Sequence, residues 1–178
     1  EKLTPETVIS FMNLYFESME EVIGEHRGIV LELQGDAILA VFGAPDALPE
    51  HPAAATRCAI DMRVRLEAMN RRLQQSQYAE ISGFTGKLEL HHRIGIHTGP
   101  VVVGEMGGGG RHEQLALGET PNIAARLEGL AKPDTVAISA MTKRLVEGAF
   151  VMEDLARHSL KGLPEPIAVA QVLKPIVT

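Results

Sequence analysis

The sequence is poor in the residues that staple, stack or span. It holds a single cysteine, Cys58, no tryptophan, two tyrosines and five phenylalanines. A lone cysteine excludes an internal disulfide and any multi-cysteine metal site, and it fits a reducing, cytoplasmic setting. So few aromatic faces leave little surface on which bases could stack. Positive charge is not in excess: the formal net charge is −6, which argues against a nucleic-acid partner held by charge alone. No apolar run approaches the ~20 residues a membrane span needs, and no secretory leader is expected. There is no internal repeat, and the glycines at 107–110 are the one low-complexity patch.

What is present is ordinary for a globular protein. The 178 residues are 45% hydrophobic and 22% charged, enough for one domain over residues 1–178 with a real core. Residues 29–43, IVLELQGDAILAVFG, organise the rest. Two β-rich runs flank Gln34-Gly35, the pattern of a hairpin with a tight loop. Residues 37–42 are apolar throughout, which predicts a strand covered on both faces in the middle of a sheet. Asp36 begins that strand. A carboxylate at the mouth of a rigid element can hold a hard cation or aim at a ligand. It can also simply shape the turn, and on this stretch alone turn chemistry is the simpler reading.

Thr4-Pro5-Glu6 is a helix start: a capping hydroxyl, proline at the first position and an acid facing the dipole. Val8, Met12, Tyr15, Met19 and Val22 recur at helical spacing, so this helix should run to Arg27 and stop at Gly28. A second helix is expected from near Pro52, with Ala55, Ala59, Met62, Leu66, Met69 and Leu73 inward and its arginines in water. Cys58 lies on it with no nearby histidine or second cysteine, so it reads as packing. Residues 74–86 read as a polar loop, and residues 88–97, LELHHRIGIH, as a strand by their alternation. His91 and His92 would then point to opposite faces, which disfavours a shared metal site with His97. The glycines at 107–110 lack the Lys-Ser/Thr ending of a P-loop and read as a hairpin tip.

Thr120 and Pro121 read as the cap and first residue of a third helix. Asn122 and Arg126, one helical turn apart, share a face near its start. An amide and a guanidinium at an anion-favouring helix terminus would suit a phosphoryl group. On these residues alone, a surface arginine with an asparagine in the first turn is the simpler reading. Residues 135–138 read as a short strand, Ser139 as the cap of a short helix, and residues 150–154 and 168–173 as the last strands. Lys161 sits in the Pro/Gly loop between them, where a lysine is usually just solvated.

Four segments, GDAILAVFGAP, RIGIHTGPVVVGEMG, LGETPNIAARLEGLA and LKGLPEPI, together resemble the class III nucleotidyl cyclase catalytic domain, in family order and over nearly the whole chain. The resemblance implies an α/β (α+β) ferredoxin-like βαββαβ core: a central, mostly antiparallel sheet with helices packed on it. It implies a head-to-tail homodimer with active sites at the interface, and two divalent cations, Mg²⁺ or Mn²⁺. The implied reaction converts ATP or GTP to 3′,5′-cyclic AMP or cyclic GMP plus pyrophosphate. Asp36 would be the second of the family's two metal aspartates. Asn122 would orient the ribose, Arg126 would stabilise charge at the α-phosphate and Lys161 would pair with the terminal phosphates. Asp36 would come from one subunit and the other three from its neighbour.

The chain departs from the family pattern in places. The family's first strand, with its other metal aspartate, would precede Glu1, so an N-terminally truncated polypeptide, inactive alone or a fragment, is expected, with regulatory domains elsewhere in a longer protein. At the base-selecting positions stand Glu32 and Leu115. Glu32 resembles the guanylyl type, because a carboxylate can accept from guanine N1–H and the 2-amino group. Leu115 can only shape a pocket, and residues 118–122, GETPN, resemble bacterial adenylyl-type domains. Pro100 stands where some members carry arginine. Two rival readings follow: a degenerate cyclase-homology domain that binds nucleotide or a partner without turnover, and a ferredoxin-like regulatory module unrelated to cyclases.

Overall fold

The computed structural model describes residues 4–75, 88–107 and 113–177. The polar loop expected at 74–86 and the hairpin tip expected at 107–110 fall largely outside them. Helix α1 spans Pro5–Glu25, and the Thr4 hydroxyl accepts from the Thr7 N–H at 3.2 Å, as the capping signal predicts. It ends through Arg27 at φ +64, with the Gly28 N–H returning to the Ile23 carbonyl. Strands β1 (Ile29–Gln34) and β2 (Ala37–Val41) form the expected antiparallel hairpin. Helix α2 spans His51–Leu73. It packs on α1 through a cluster of Met19, Val22 and Ile23 with Cys58, Met62 and Leu66. Burial pushes the Cys58 thiol up to about 12, with Asp61 and Glu25 adding to the effect, so this side chain packs and does not react.

Strand β3 is Ile94–Ile96 and pairs in parallel with β6, Val136–Ser139. Between them in sequence come β4 (Val102–Met106), β5 (Glu113–Leu117) and helix α3, Glu119–Leu130. Helix α4 (Ala140–Val146) follows, and the Ser139 hydroxyl caps it by accepting from the Thr142 N–H at 3.3 Å. The chain closes with β7 (Phe150–His158) and β8 (Ile167–Pro175). The main sheet has the order β3-β6-β8-β7. Alternation splits its side chains between two layers. Val136, Ile138, Ala170 and Val172 meet Ala59 of α2 on one face, while Ala137 and Val169 meet Ile123 and Leu127 of α3 on the other. Leu127 and Ile138 are wholly inaccessible, and each contributes about 1.5–3 kcal/mol by burial.

Three expectations need correction. Residues 88–93 are not strand. Their backbone is engaged elsewhere: Leu90 gives both its N–H and its carbonyl to the Asn70 amide at 2.8 Å. The His92 carbonyl accepts from the Asp134 N–H, and the His92 N–H goes to the Asp134 carboxylate. Thr120 is not the cap of α3. Gly118 at φ +127 holds that position, and the Thr120 hydroxyl donates instead to the Pro100 carbonyl at 2.8 Å. Finally, β2 is not central among the described residues. It pairs with β1 alone, is only half-buried, and its other edge opens on a cavity of about 870 Å³ that β3 also borders.

Candidate active site

The β1–β2 turn places Asp36. Gln34 and Ala37 face each other across it, and Gly35 takes φ +59, the left-handed value a tight hairpin needs at its first central residue. Asp36 is exposed at the end of this hairpin and borders the cavity. Its charge is felt by Tyr15 of α1, whose hydroxyl is pushed up to about 12, first by burial and then by Asp36. Glu32 is half-buried on the same wall, next to a β-bulge between Val30 and Glu32. A bulge re-aims a side chain, and nothing in the strand pattern announced it. The backbone of Leu115 pairs with Gly104 in the β4–β5 hairpin; its side chain lies outside the described part of the molecule.

On the far wall, the turn after β3 is tied from two sides. The His97 ring Nδ1 lies 2.7 Å from the Ser139 hydroxyl, and the Thr98 hydroxyl 2.9 Å from that of Thr142. Burial lowers the His97 pKa, so the ring is neutral at neutral pH. The three histidines occupy separate environments. His91 pairs with Asp134 at 2.6 Å, and His92 meets the Tyr15 hydroxyl at 3.0 Å. Sequence reading found these residues but not the hydroxyl network that holds His97, because its partners are distant in the chain.

Helix α3 sits directly on β3. A Cβ at Gly95 would lie 2.3 Å from the Ala124 carbonyl oxygen and the Glu128 nitrogen, so only glycine permits this approach. The first turn of α3 carries Asn122, exposed and bordering the cavity. One turn later the half-buried Arg126 guanidinium lies over Gly162, its Nη2 3.3 Å from where a Cβ would stand. Gly162 follows Lys161 in a turn closed by the Leu163 N–H to the Leu160 carbonyl at 3.1 Å. The structure therefore brings Arg126 to the Lys161–Gly162 turn. It sets Glu32, Asp36 and Asn122 on the wall of one elongated cavity, to which Arg126 and Lys161 do not belong. No described carboxylate pairs with Arg126 or Lys161. Asp36 is a hard oxygen donor of the kind Mg²⁺ and Mn²⁺ take. Among the described residues, no three His, Cys, Asp or Glu side chains gather as a metal group.

The described residues thus form an α+β core with Asp36 on a hairpin turn, Asn122 at a helix start and Arg126 beside the Lys161–Gly162 turn. Residues 1–173 match the Adenylate and Guanylate cyclase catalytic domain family, and the chain belongs to that family. It is 38% identical over 129 residues to Adenylate cyclase 1 of Rhizobium meliloti (strain 1021), covering 72% of this chain and 18% of that protein. It thus spans under a fifth of that relative. The guanylyl cyclase Cya2 superposes with a TM-score of 0.86 at 29% identity, over 97% of this chain and 83% of that one. The adenylyl cyclase CyaB from P. aeruginosa gives 0.85 at 26% identity, over 97% and 85%. The expected cyclase fold is therefore confirmed, and divalent-metal use is typical of this family. Among the described residues no helix is long and apolar enough to cross a membrane.

Proposed function

We propose that this chain is the catalytic part of a nucleotidyl cyclase. It closes a purine nucleoside triphosphate, ATP or GTP, to the 3′,5′-cyclic monophosphate and releases pyrophosphate. The ribose 3′-oxygen forms a bond to the α-phosphorus as the bond to the bridging oxygen of pyrophosphate breaks, and the hydroxyl proton leaves to solvent. The observation that carries this reading is the meeting of Arg126 with the Lys161–Gly162 turn, two cations left without a described carboxylate. Such a pair is positioned to meet an anion whose charge grows during reaction. Arg126 stabilises the α-phosphate, Lys161 takes the terminal phosphates, and Asn122 holds the ribose.

Asp36 would hold a divalent cation through one carboxylate, and such cations would lower the hydroxyl's pKa and neutralise phosphate charge. Asp36 serves one site of a homodimer and Asn122, Arg126 and Lys161 the other, so each site needs two chains. Regulatory domains belong to the rest of a longer protein.

Glu32 and Leu115 hold the positions that select the base in the family this chain resembles. The half-buried Glu32 carboxylate on the cavity wall supports guanine, whereas the adenylate cyclase relative supports adenine. The test is an assay of the full-length protein with Mn²⁺ and each triphosphate. Cyclic product from one or both is expected, and none from either would overturn cyclase activity in favour of a nucleotide-binding domain without turnover. Glu32→Lys should move the kcat/KM ratio towards ATP by about tenfold or more. An unchanged ratio would remove Glu32 from base recognition.

A further inference from the structure

The Arg126 guanidinium is held in an unusual way. It makes no ion pair with a described carboxylate. What fixes it is a surface: the Nη2, Nη1 and Cζ atoms lie 3.3, 3.5 and 3.8 Å from the point where a Cβ at Gly162 would stand. The guanidinium rests on bare backbone. Gly162 itself has φ +89 at the third position of the Leu160–Leu163 turn, the conformation type II turns reserve for glycine. That turn is anchored on both sides of the glycine. Leu160 is buried, and Leu163 packs into the cluster that Ile123 and Leu127 of α3 build with the sheet. The backbone under Arg126 is therefore tied to the helix that carries Arg126.

The geometry points to Gly162 as a positioning residue for the proposed reaction, a platform whose missing side chain sets where the guanidinium of Arg126 lies. This rests on the reading of Arg126 as the group that meets the α-phosphate. A methyl at 162 would stand 3.3 Å from Nη2, so the guanidinium must give by a few tenths of an ångström, and a longer side chain such as asparagine would displace it further. A displacement of that kind acts on the transition state more than on substrate affinity. Turn strain alone would also perturb the protein, and the fold contains its own control. Gly148 has nearly the same φ, +86, with nothing within 4 Å of the point a Cβ would occupy. Asparagine tolerates the left-handed region better than other residues, so Asn variants at both positions keep the backbone conformation within reach.

The experiment measures kcat, KM and melting temperature for Gly162→Ala, Gly162→Asn, Gly148→Ala, Gly148→Asn and Arg126→Ala in the full-length protein. The 162 and 148 variants should melt alike. Relative to its 148 counterpart, Gly162→Asn should lower kcat on the order of tenfold with KM within about twofold, and Gly162→Ala should lie between. In an Arg126→Ala background, Gly162→Asn should cost nothing further in kcat. If Arg126→Ala leaves kcat intact, the catalytic reading of Arg126 fails and this assignment with it. If Arg126→Ala abolishes turnover while the 162 and 148 variants fall equally, Arg126 keeps its role and the platform alone is refuted.

Discussion

His92 shows how one buried side chain ties stability to acidity. Its Nδ1 lies 3.0 Å from the Tyr15 hydroxyl, and its Nε2 is buried with no described partner. Burial lowers its pKa from 6.5 to about 4, opposed by Asp134 and reinforced by Arg63 and His91. Between those values the unfolded chain takes up a proton that the folded one refuses. The stabilisation is present above 6.5 and lost as pH falls towards about 4, on the order of 3 kcal/mol in all. His91 has the opposite sign: Asp134 raises its pKa by hydrogen bonding, so its contribution is present in acid and lost as pH rises. Denaturant titrations of the wild type and His92→Gln at about pH 7 and about pH 4.5 should show a shallower acid loss in the variant. His91 is common to both proteins and cancels. Parallel losses would assign acid sensitivity to other groups. At this scale the sequence was partly legible. Asp36, Asn122, Arg126 and Lys161 each have a bland reading alone, and only their combination, in family order, lifts them. The bulge beside Glu32 is a register shift within the β1–β2 hairpin that residue alternation does not announce, and the bare backbone beneath Arg126 has no local signature because Gly162 is far along the chain.

The placement of α3 on β3 is the decisive packing event for the candidate site, and it turns on Gly95. Gly95→Ala would drive a methyl into the Ala124 carbonyl and the Glu128 backbone, which cannot rotate away as a side chain can. The expected cost is about 2 kcal/mol or more in denaturant-measured stability, with α3 displaced and turnover reduced. Retention of full stability would mean that the helix slides on the sheet more freely than its contacts imply. Elements bounded by local chemistry were readable. The Thr4-Pro5 start and the Ser139 cap appear where their side chains predict. Two of the failures share a cause. Thr120 looks like a cap, but its hydroxyl is engaged by Pro100, and residues 88–93 alternate like a strand, but Asn70 and Asp134 take their backbone groups. In each case a tertiary hydrogen bond outweighed a local preference.

For the whole molecule, the proposed two-chain site makes a test by mixing possible. Asp36→Asn and Arg126→Ala should each keep only a small residual turnover alone. In a head-to-tail dimer of one of each, both defects fall in one site and the other is intact. An equal mixture should recover about a quarter of wild-type turnover, since half the dimers are mixed and each has one sound site. No recovery, with mixed dimers confirmed by mass, would place both groups in the same chain's site. The anchoring of the Leu160–Leu163 turn on α3 carries a further consequence. Arg126 and Lys161 share one scaffold, the α3 cluster with its sheet, whereas Asp36 hangs on a separate two-stranded ribbon. In the proposed two-chain site, a shift of that scaffold would carry both cations together relative to the neighbouring chain's Asp36, as a tray carries whatever is set on it.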